Sequence, residues 1–260
     1  MRGGVLLYVA LLVVLPLAAL TGTGLSDGLT GLWHAVTAPA GRDALLLTLW
    51  TGALTAIVNA IAGTATAWVL VRFRFPGRAV LQALVDLPFA VPTLVTGVML
   101  VLLLGPTQPI GRWFNANGIE ILFAPPAIII ALLFITMPFV VRAVEPVLAE
   151  LDPAEEEAAR TLGAGDWAVV RRVMLPALAP AIGVGALQSF ARAVAEFGSI
   201  VVVSGNIPHK SLTGAIYIFG EVEGGRPAVA AAISLVLLAL SFGLSLGARW
   251  LRHALRARRV

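Results

Sequence analysis

Asp152-Pro153-Ala154-Glu155-Glu156-Glu157-Ala158-Ala159-Arg160-Thr161-Leu162-Gly163 is the most polar run in an otherwise apolar chain, and it reads as a short helix marked at both ends. Asp152 can cap the free amides of the first turn. Pro153 suits the first helical position, where a missing amide hydrogen leaves nothing unpaired, and Glu155 stands at the capping-box position. Glu155, Glu156 and Glu157 then lie where the positive end of the helix dipole favours carboxylates. Gly163 supplies the stop, because it adopts the left-handed conformation at low cost. The pattern predicts a helix over about Pro153 to Leu162, with a patch of small residues at Ala158 and Ala159.

Outward from this helix the chain turns apolar. The connection that contains it, 142–177, holds seven acidic residues, and the runs Pro125–Val141 and Leu178–Val203 flank it. Four more apolar runs stand at Val5–Leu20, Ala44–Val71, Ala79–Leu104 and Pro227–Ala248. A membrane crossing takes about 20 residues, and lipid demands that backbone groups be satisfied within the segment, so the runs are expected to be helices. Of 260 residues, 59% are hydrophobic and 12% charged, with a mean hydropathy of +0.94. Ordinary soluble domains show roughly 45–50% and 25%. A water-soluble globule is excluded, and the fold class is an all-α membrane protein with six transmembrane helices. Arg2 ahead of Val5–Leu20 is signal-like, but that run is long and lacks a clear cleavage site, so a retained helix is expected.

Cysteine is absent, which excludes disulfides, zinc-thiolate sites and thiol nucleophiles. The three histidines lack metal-ligand spacing, and no metal site or catalytic residue is expected. The net charge is +4, and Lys210 is the sole lysine beside 17 arginines. With the N-terminus inside, 13 basic residues fall on inner segments, among them Arg72, Arg142, Arg160 and the tail arginines. Only Arg42, Arg112, Lys210 and Arg226 fall on outer loops. This bias predicts both termini cytoplasmic. The basic tail 251–260 follows a span directly and reads as an inner-leaflet anchor, with no nucleic-acid role.

The spacing of the polar helix adds a family likeness. Glu157-Ala158-Ala159, Gly163 and Leu175-Pro176 resemble the E-A-A-x3-G-x9-I-x-L-P signature of permease subunits of ATP-binding-cassette importers, with Val173 in place of isoleucine. The resemblance implies a type I importer permease (MetI-like) fold over 44–250, preceded by an N-terminal helix and outer loop, 1–43. It also implies that this loop is a coupling helix seated on a separate ATPase, with Asp152, Glu156, Glu157, Ala158, Ala159, Gly163 and Pro176 as the ATPase-coupling residues. A phosphate-binding loop needs G-x-x-x-x-G-K-[ST]. Around Lys210-Ser211 both glycine positions are filled otherwise, by Ser204 and His209. ATP and its magnesium therefore belong to the partner ATPase, and this chain is expected to be non-catalytic.

Ala67–Arg78, Asp86–Thr93, Pro138–Arg142 and Glu196-Phe197-Gly198 resemble the T-type permease of sulfate/thiosulfate importers. The Phe-Pro-Gly-Arg loop at 75–78, the run Val141–Leu148 and Ser204-Gly205-Asn206-Ile207 favour that branch over molybdate or tungstate permeases. The resemblance implies a bacterial inner-membrane complex of a second homologous permease, an ATPase dimer and an extracytoplasmic sulfate-binding protein. An ion-coupled secondary transporter is the rival class, but it leaves the polar loop unexplained.

Within the spans, Arg192 and Glu196 form the one strongly ionic couple, a helical turn apart. A charged residue in the hydrocarbon layer is costly, so it faces a water-filled path or a partner. Two readings stand: Arg192, Glu196, Phe197 and Gly198 as part of the translocation pathway or gate, or the couple as a structural salt bridge. Pro88 and Pro92 predict a kink in the third span, static or hinge-like, and Asp86 can cap freed amides there or pair with an inner arginine. Gly243-x-x-x-Gly247 would permit close helix packing in the last span.

Overall fold

Helices account for all the regular structure of the described residues in this computed structural model, which covers residues 2–257 and leaves out the side chains of 1–7, 9, 244, 245 and 248–260. In chain order they are α1 (Arg2–Gly24), α2 (Gly28–Thr37), α3 (Pro39–Arg72), α4 (Arg78–Ala90), α5 (Thr93–Leu104), α6 (Pro109–Ala116), α7 (Pro125–Ala149), α8 (Pro153–Thr161), α9 (Asp166–Val169), α10 (Leu175–Val194), α11 (Gly198–Val203), α12 (Gly214–Glu223) and α13 (Pro227–Ala257). A π turn, Val170–Met174, joins α9 to α10. It precedes Pro176, whose ring would clash with the Arg172 carbonyl in a regular α-helix, and the wider turn gives it room.

Three helical stretches are long and apolar enough to cross a membrane unbroken: Pro39–Arg72, Pro125–Ala149 and Asp166–Val194. Two further stretches are bent pairs, α1 with α2 at 83° and α4 with α5 at 113°, and Pro227–Gly243 of α13 is a shorter apolar helix. The set is consistent with six crossings. The third run is not a kinked rod, however. Val91 sits extended at φ −88° and ψ 126° before Pro92, the conformation a following proline favours, and the chain turns there into α5. The fifth run also divides, because α10 ends at Val194 and α11 begins at Gly198.

The core is built on α3, α7 and α10. Val140 of α7 is fully buried between Gly63 of α3 and Gly185 of α10. A Cβ on Gly63 would lie 2.8 Å from the Val140 Cβ, and one on Gly185 would lie 2.8 Å from its Cα. Small residues thus let three membrane helices touch backbone to backbone. Gly243 and Gly247 do not act this way: a Cβ on either meets nothing within 4 Å among the described residues. Gly24, at the end of α1, does pack closely, against Ala231 and Leu235 of α13.

Between the same three helices lies a buried polar knot. Asn59 Nδ2 donates to Thr136 Oγ1 at 2.8 Å and to the Leu133 carbonyl at 3.3 Å, and Ser189 Oγ donates to Thr136 Oγ1 at 2.8 Å. Such bonds within lipid are worth about 0.6 kcal/mol on average. Asn59→Leu is expected to lower stability by ~1 kcal/mol, read as a drop of a few degrees in the thermal unfolding midpoint in detergent.

Outside the Arg192–Glu196 couple, the ion pairs among the described residues fall into two groups according to the segments that hold their basic members. Arg72–Glu156, Arg142–Asp86 and Arg160–Asp166 lie with the inner segments. Asp43–His209, Glu120–Lys210 and Glu221–Arg226 lie with the outer loops. The side chains of the basic tail 251–260 lie outside the described residues.

Candidate functional site

The polar helix forms as the local chemistry dictates. The Asp152 carboxylate accepts from the Ala154 amide at 2.9 Å, and Pro153 opens α8. Gly163 ends it at φ +84°, while the Gly163 and Ala164 amides donate back to the Arg160 and Ala159 carbonyls. The chain between α7 and the helical stretch starting at Asp166 is much shorter than 142–177, because α7 runs to Ala149. The result is a short capped helix between two long ones.

α8 has two faces. Glu156 and Ala159 turn inward: Glu156 pairs with Arg72 at the end of α3, and Ala159 packs against the inner core around Leu70, Val144 and Met174. Glu157, Ala158, Thr161 and Leu162 turn outward. Leu162 is 89% exposed and Trp167, just beyond, is 71% exposed. Pro176 lies apart, at the start of α10, and is exposed. Of the residues implied as coupling, Asp152, Glu157, Ala158, Gly163 and Pro176 are exposed, while Glu156 and Ala159 face the chain itself.

A second constellation joins the two helix breaks. Arg192 reaches Glu196 at 2.6 Å, with the Glu196 side chain 1% exposed and that of Arg192 32% exposed. The other Glu196 oxygen accepts from the Ser199 amide at 2.9 Å and the Ser199 hydroxyl at 3.0 Å. A buried carboxylate held by a guanidinium and two further donors has its hydrogen-bonding capacity satisfied. Its hold on the Ser199 amide also starts α11 instead of extending α10. Phe197 rests on Phe219 with ring centroids 5.4 Å apart. Gly198 faces Thr93 and Leu94 so closely that a Cβ would overlap the Thr93 hydroxyl. The α10–α11 break is thus seated on the α4–α5 break, next to Pro92. Pro88 is buried inside α4, and Asp86, nearby, pairs with Arg142 at 2.9 Å.

In α12, Glu221 is buried and binds Arg226 through both oxygens, at 2.5 and 2.9 Å. The Arg226 hydrogen bonds hold its carboxyl below the usual carboxylate range, against the upward push of burial. Burial, then the Glu221 charge, raises the neighbouring Tyr217 hydroxyl. Because the folded-state value for Glu221 lies below the unfolded one, its stabilisation is complete above the ordinary carboxylate range. It is lost as pH falls through the depressed value. Amide exchange across the α12–α13 junction is expected to speed up below about pH 4, and Glu221→Gln is expected to remove that pH dependence.

Sequence reasoning missed three features. Arg72 was grouped with the inner charges, and nothing local marks a partner 84 positions away. Ser199 carries no signal of its own. Asn59, Thr136 and Ser189 could have been flagged as polar residues inside apolar runs, which in membranes commonly face one another.

Comparison with known proteins places this geometry. The family model described as "Binding-protein-dependent transport system inner membrane component" matches residues 59–257. The Synechocystis "Sulfate transport system permease protein CysT" is 42% identical over 93% of this chain and 84% of its own length. The CysW permease of the same organism is 41% identical over 90% and 86%. Among solved structures, a bacterial alginate ABC transporter in complex with its pentasaccharide-bound periplasmic protein superposes with a TM-score of 0.78. That match has 17% identity and covers 95% of this chain and 91% of the other, a likeness of fold. With a matched model spanning the three core helices from Asn59 onward, and relatives above 40% identity over most of their length, the chain belongs to the family of binding-protein-dependent transport system inner membrane components.

Proposed function

We propose that this protein is one of two homologous permease subunits of an ATP-driven sulfate importer, with its termini in the cytoplasm and ATP hydrolysed by a separate pair of ATPase subunits. The observation that carries the reading is α8: a capped helix whose outward face, Glu157, Ala158 and Leu162, is exposed and has no side-chain partner among the described residues. It sits between two helices that run into the core. A rigid lever of this kind passes a push from an ATPase to the membrane helices, which a flexible loop would absorb. The similarity to CysT and CysW relatives supports sulfate as cargo and a non-identical permease as partner. An extracytoplasmic binding protein would deliver the anion. The excess of arginine on inner segments supports the orientation.

In this mechanism the outer half of the pathway opens and closes around the two seated helix breaks. Glu196 is fully engaged and does not confront a divalent anion as a free carboxylate. Arg192, a third exposed, keeps guanidinium donors beyond the one that meets Glu196 and contributes positive potential to the path. Arg192→Gln is expected to reduce sulfate uptake at least tenfold with the subunit at normal membrane levels. Unchanged uptake would leave the couple a purely structural bridge.

Uptake of radiolabelled sulfate in a strain lacking its own permease, complemented with this subunit and its partners, tests the function. Sulfate-dependent uptake competed by thiosulfate supports it. Uptake of molybdate without sulfate would assign the chain to the molybdate branch instead.

A further inference from the structure

We infer that Arg72 is a positioning residue for energy coupling: through Glu156 it ties α8 to the inner end of α3, so that movement of α8 is delivered to the core helix. The inference rests on the importer reading above and extends it to a residue outside the signature. Arg72 is the last residue of α3, and Glu156 lies in the first turn of α8. Each charge suits the end of its own helix, the guanidinium at a C-terminus and the carboxylate at an N-terminus. The two side chains are 25% and 13% exposed, far from the solvated surface pairs that contribute little. The Arg72 guanidinium is backed by the Trp68 ring one turn earlier, 5.8 Å from its centroid, within the range of a cation–π contact. Its direction is therefore held from behind.

Among the described residues, no second ion pair attaches α8 to a long helix. The helix has no buried residue. Its other side-chain hydrogen bonds among the described residues stay local: Asp152 to Ala154, Arg160 to Asp166, and Thr161 to the Ala158 carbonyl. Ala159 adds an apolar contact, but only the Arg72–Glu156 pair links α8 by charge to a membrane helix.

α3 is suited to carry the displacement. Its 34 residues form one continuous helix, about 51 Å long at 1.5 Å per residue. Along it, Asn59 joins the polar knot with α7 and α10. Near its outer end Thr48 Oγ1 accepts from the Gly214 amide at 2.8 Å, and Asp43 meets His209 at 2.6 Å. One rod thus connects the lever on the inner side with the loop that leads into α12 on the outer side.

The test uses the complete transporter, with its partner permease, ATPase and binding protein, reconstituted in liposomes and assayed for both ATP hydrolysis and sulfate uptake. Arg72→Gln and Glu156→Gln are expected to retain the ATPase at wild-type stoichiometry while uptake per ATP hydrolysed falls at least tenfold. The double exchange, Arg72→Glu with Glu156→Arg, is expected to recover a substantial part of that ratio, which a general loss of stability would not allow. An unchanged ratio in the single variants, or no recovery in a double variant that assembles normally, overturns the inference. Absence of the ATPase from the wild-type complex would instead overturn the importer reading on which it rests.

Discussion

Gly97→Val is expected to abolish uptake and to lower the amount of folded subunit in the membrane several-fold. Gly97 lies on α5 where it crosses α11. A Cβ there would stand 2.7 Å from the Ser199 carbonyl oxygen, 3.0 Å from the Ser199 Cα and 2.9 Å from the Val202 Cβ. Two of these are backbone atoms and cannot rotate away. Overpacking a filled site costs about 1–3 kcal/mol, occasionally more, and here the strain falls on the residue whose amide and hydroxyl hold Glu196. The break at 195–197 would shift, and the Arg192 pair with it. Gly97→Ala should show a milder version of the same defect. Gly243→Val, at a position with no neighbour within 4 Å among the described residues, should show neither comparable loss. Membrane level by immunoblot and uptake, measured together, check the set.

Ala158→Trp is expected to leave the chain folded and to cut capture of the ATPase at least tenfold, equivalent to about 1.4 kcal/mol of binding free energy. Ala158 is exposed on the outward face of α8, so a large ring there disturbs nothing within the chain. It would, however, hold any docked surface away from the backbone. Gly163→Val should act on the same interface from behind. At φ +84° a β-branched residue is strained, by about 1–2 kcal/mol, and the last turn of α8 would unwind to relieve it. Glu156→Gln, on the opposite face, should keep the ATPase bound. The contrast between the two faces is read by co-purification from detergent.

Much of this was readable from residues alone, and the reasons are local. Asp152, Pro153 and Gly163 act on backbone groups within four positions of themselves, so the ends of α8 follow directly from chemistry that the sequence displays. The long apolar runs likewise announce helices, since lipid allows little else. What escaped was non-local. The 113° turn between α4 and α5 was reduced to a kink because two prolines mark a break but not its angle, which is set by α11 packed against α5. The division of the fifth run at Ala195–Phe197 depends on Glu196 turning back to the Ser199 amide, a choice between two helical continuations that hydropathy does not distinguish. The inward orientation of Glu156 depends on Arg72. In a row of three glutamates, nothing in the sequence says which one faces the core. Gly243 and Gly247 carried a packing pattern that the described chain does not use, whereas Gly63 and Gly185, in the looser patterns Gly63-x-x-x-Ala67 and Ala181-x-x-x-Gly185-x-x-x-Ser189, pack against Val140 in the core.

Because the chain contains no cysteine of its own, a single Ala158→Cys substitution gives the most direct test of α8 as a cytoplasmic lever driven by an ATPase. The substituted subunit should resist a membrane-impermeant maleimide in intact cells and react with it in inside-out vesicles. In the assembled complex it should cross-link to the ATPase subunit. Labelling from outside in intact cells, or a complex that transports sulfate without any cross-link to an ATPase, would contradict that role.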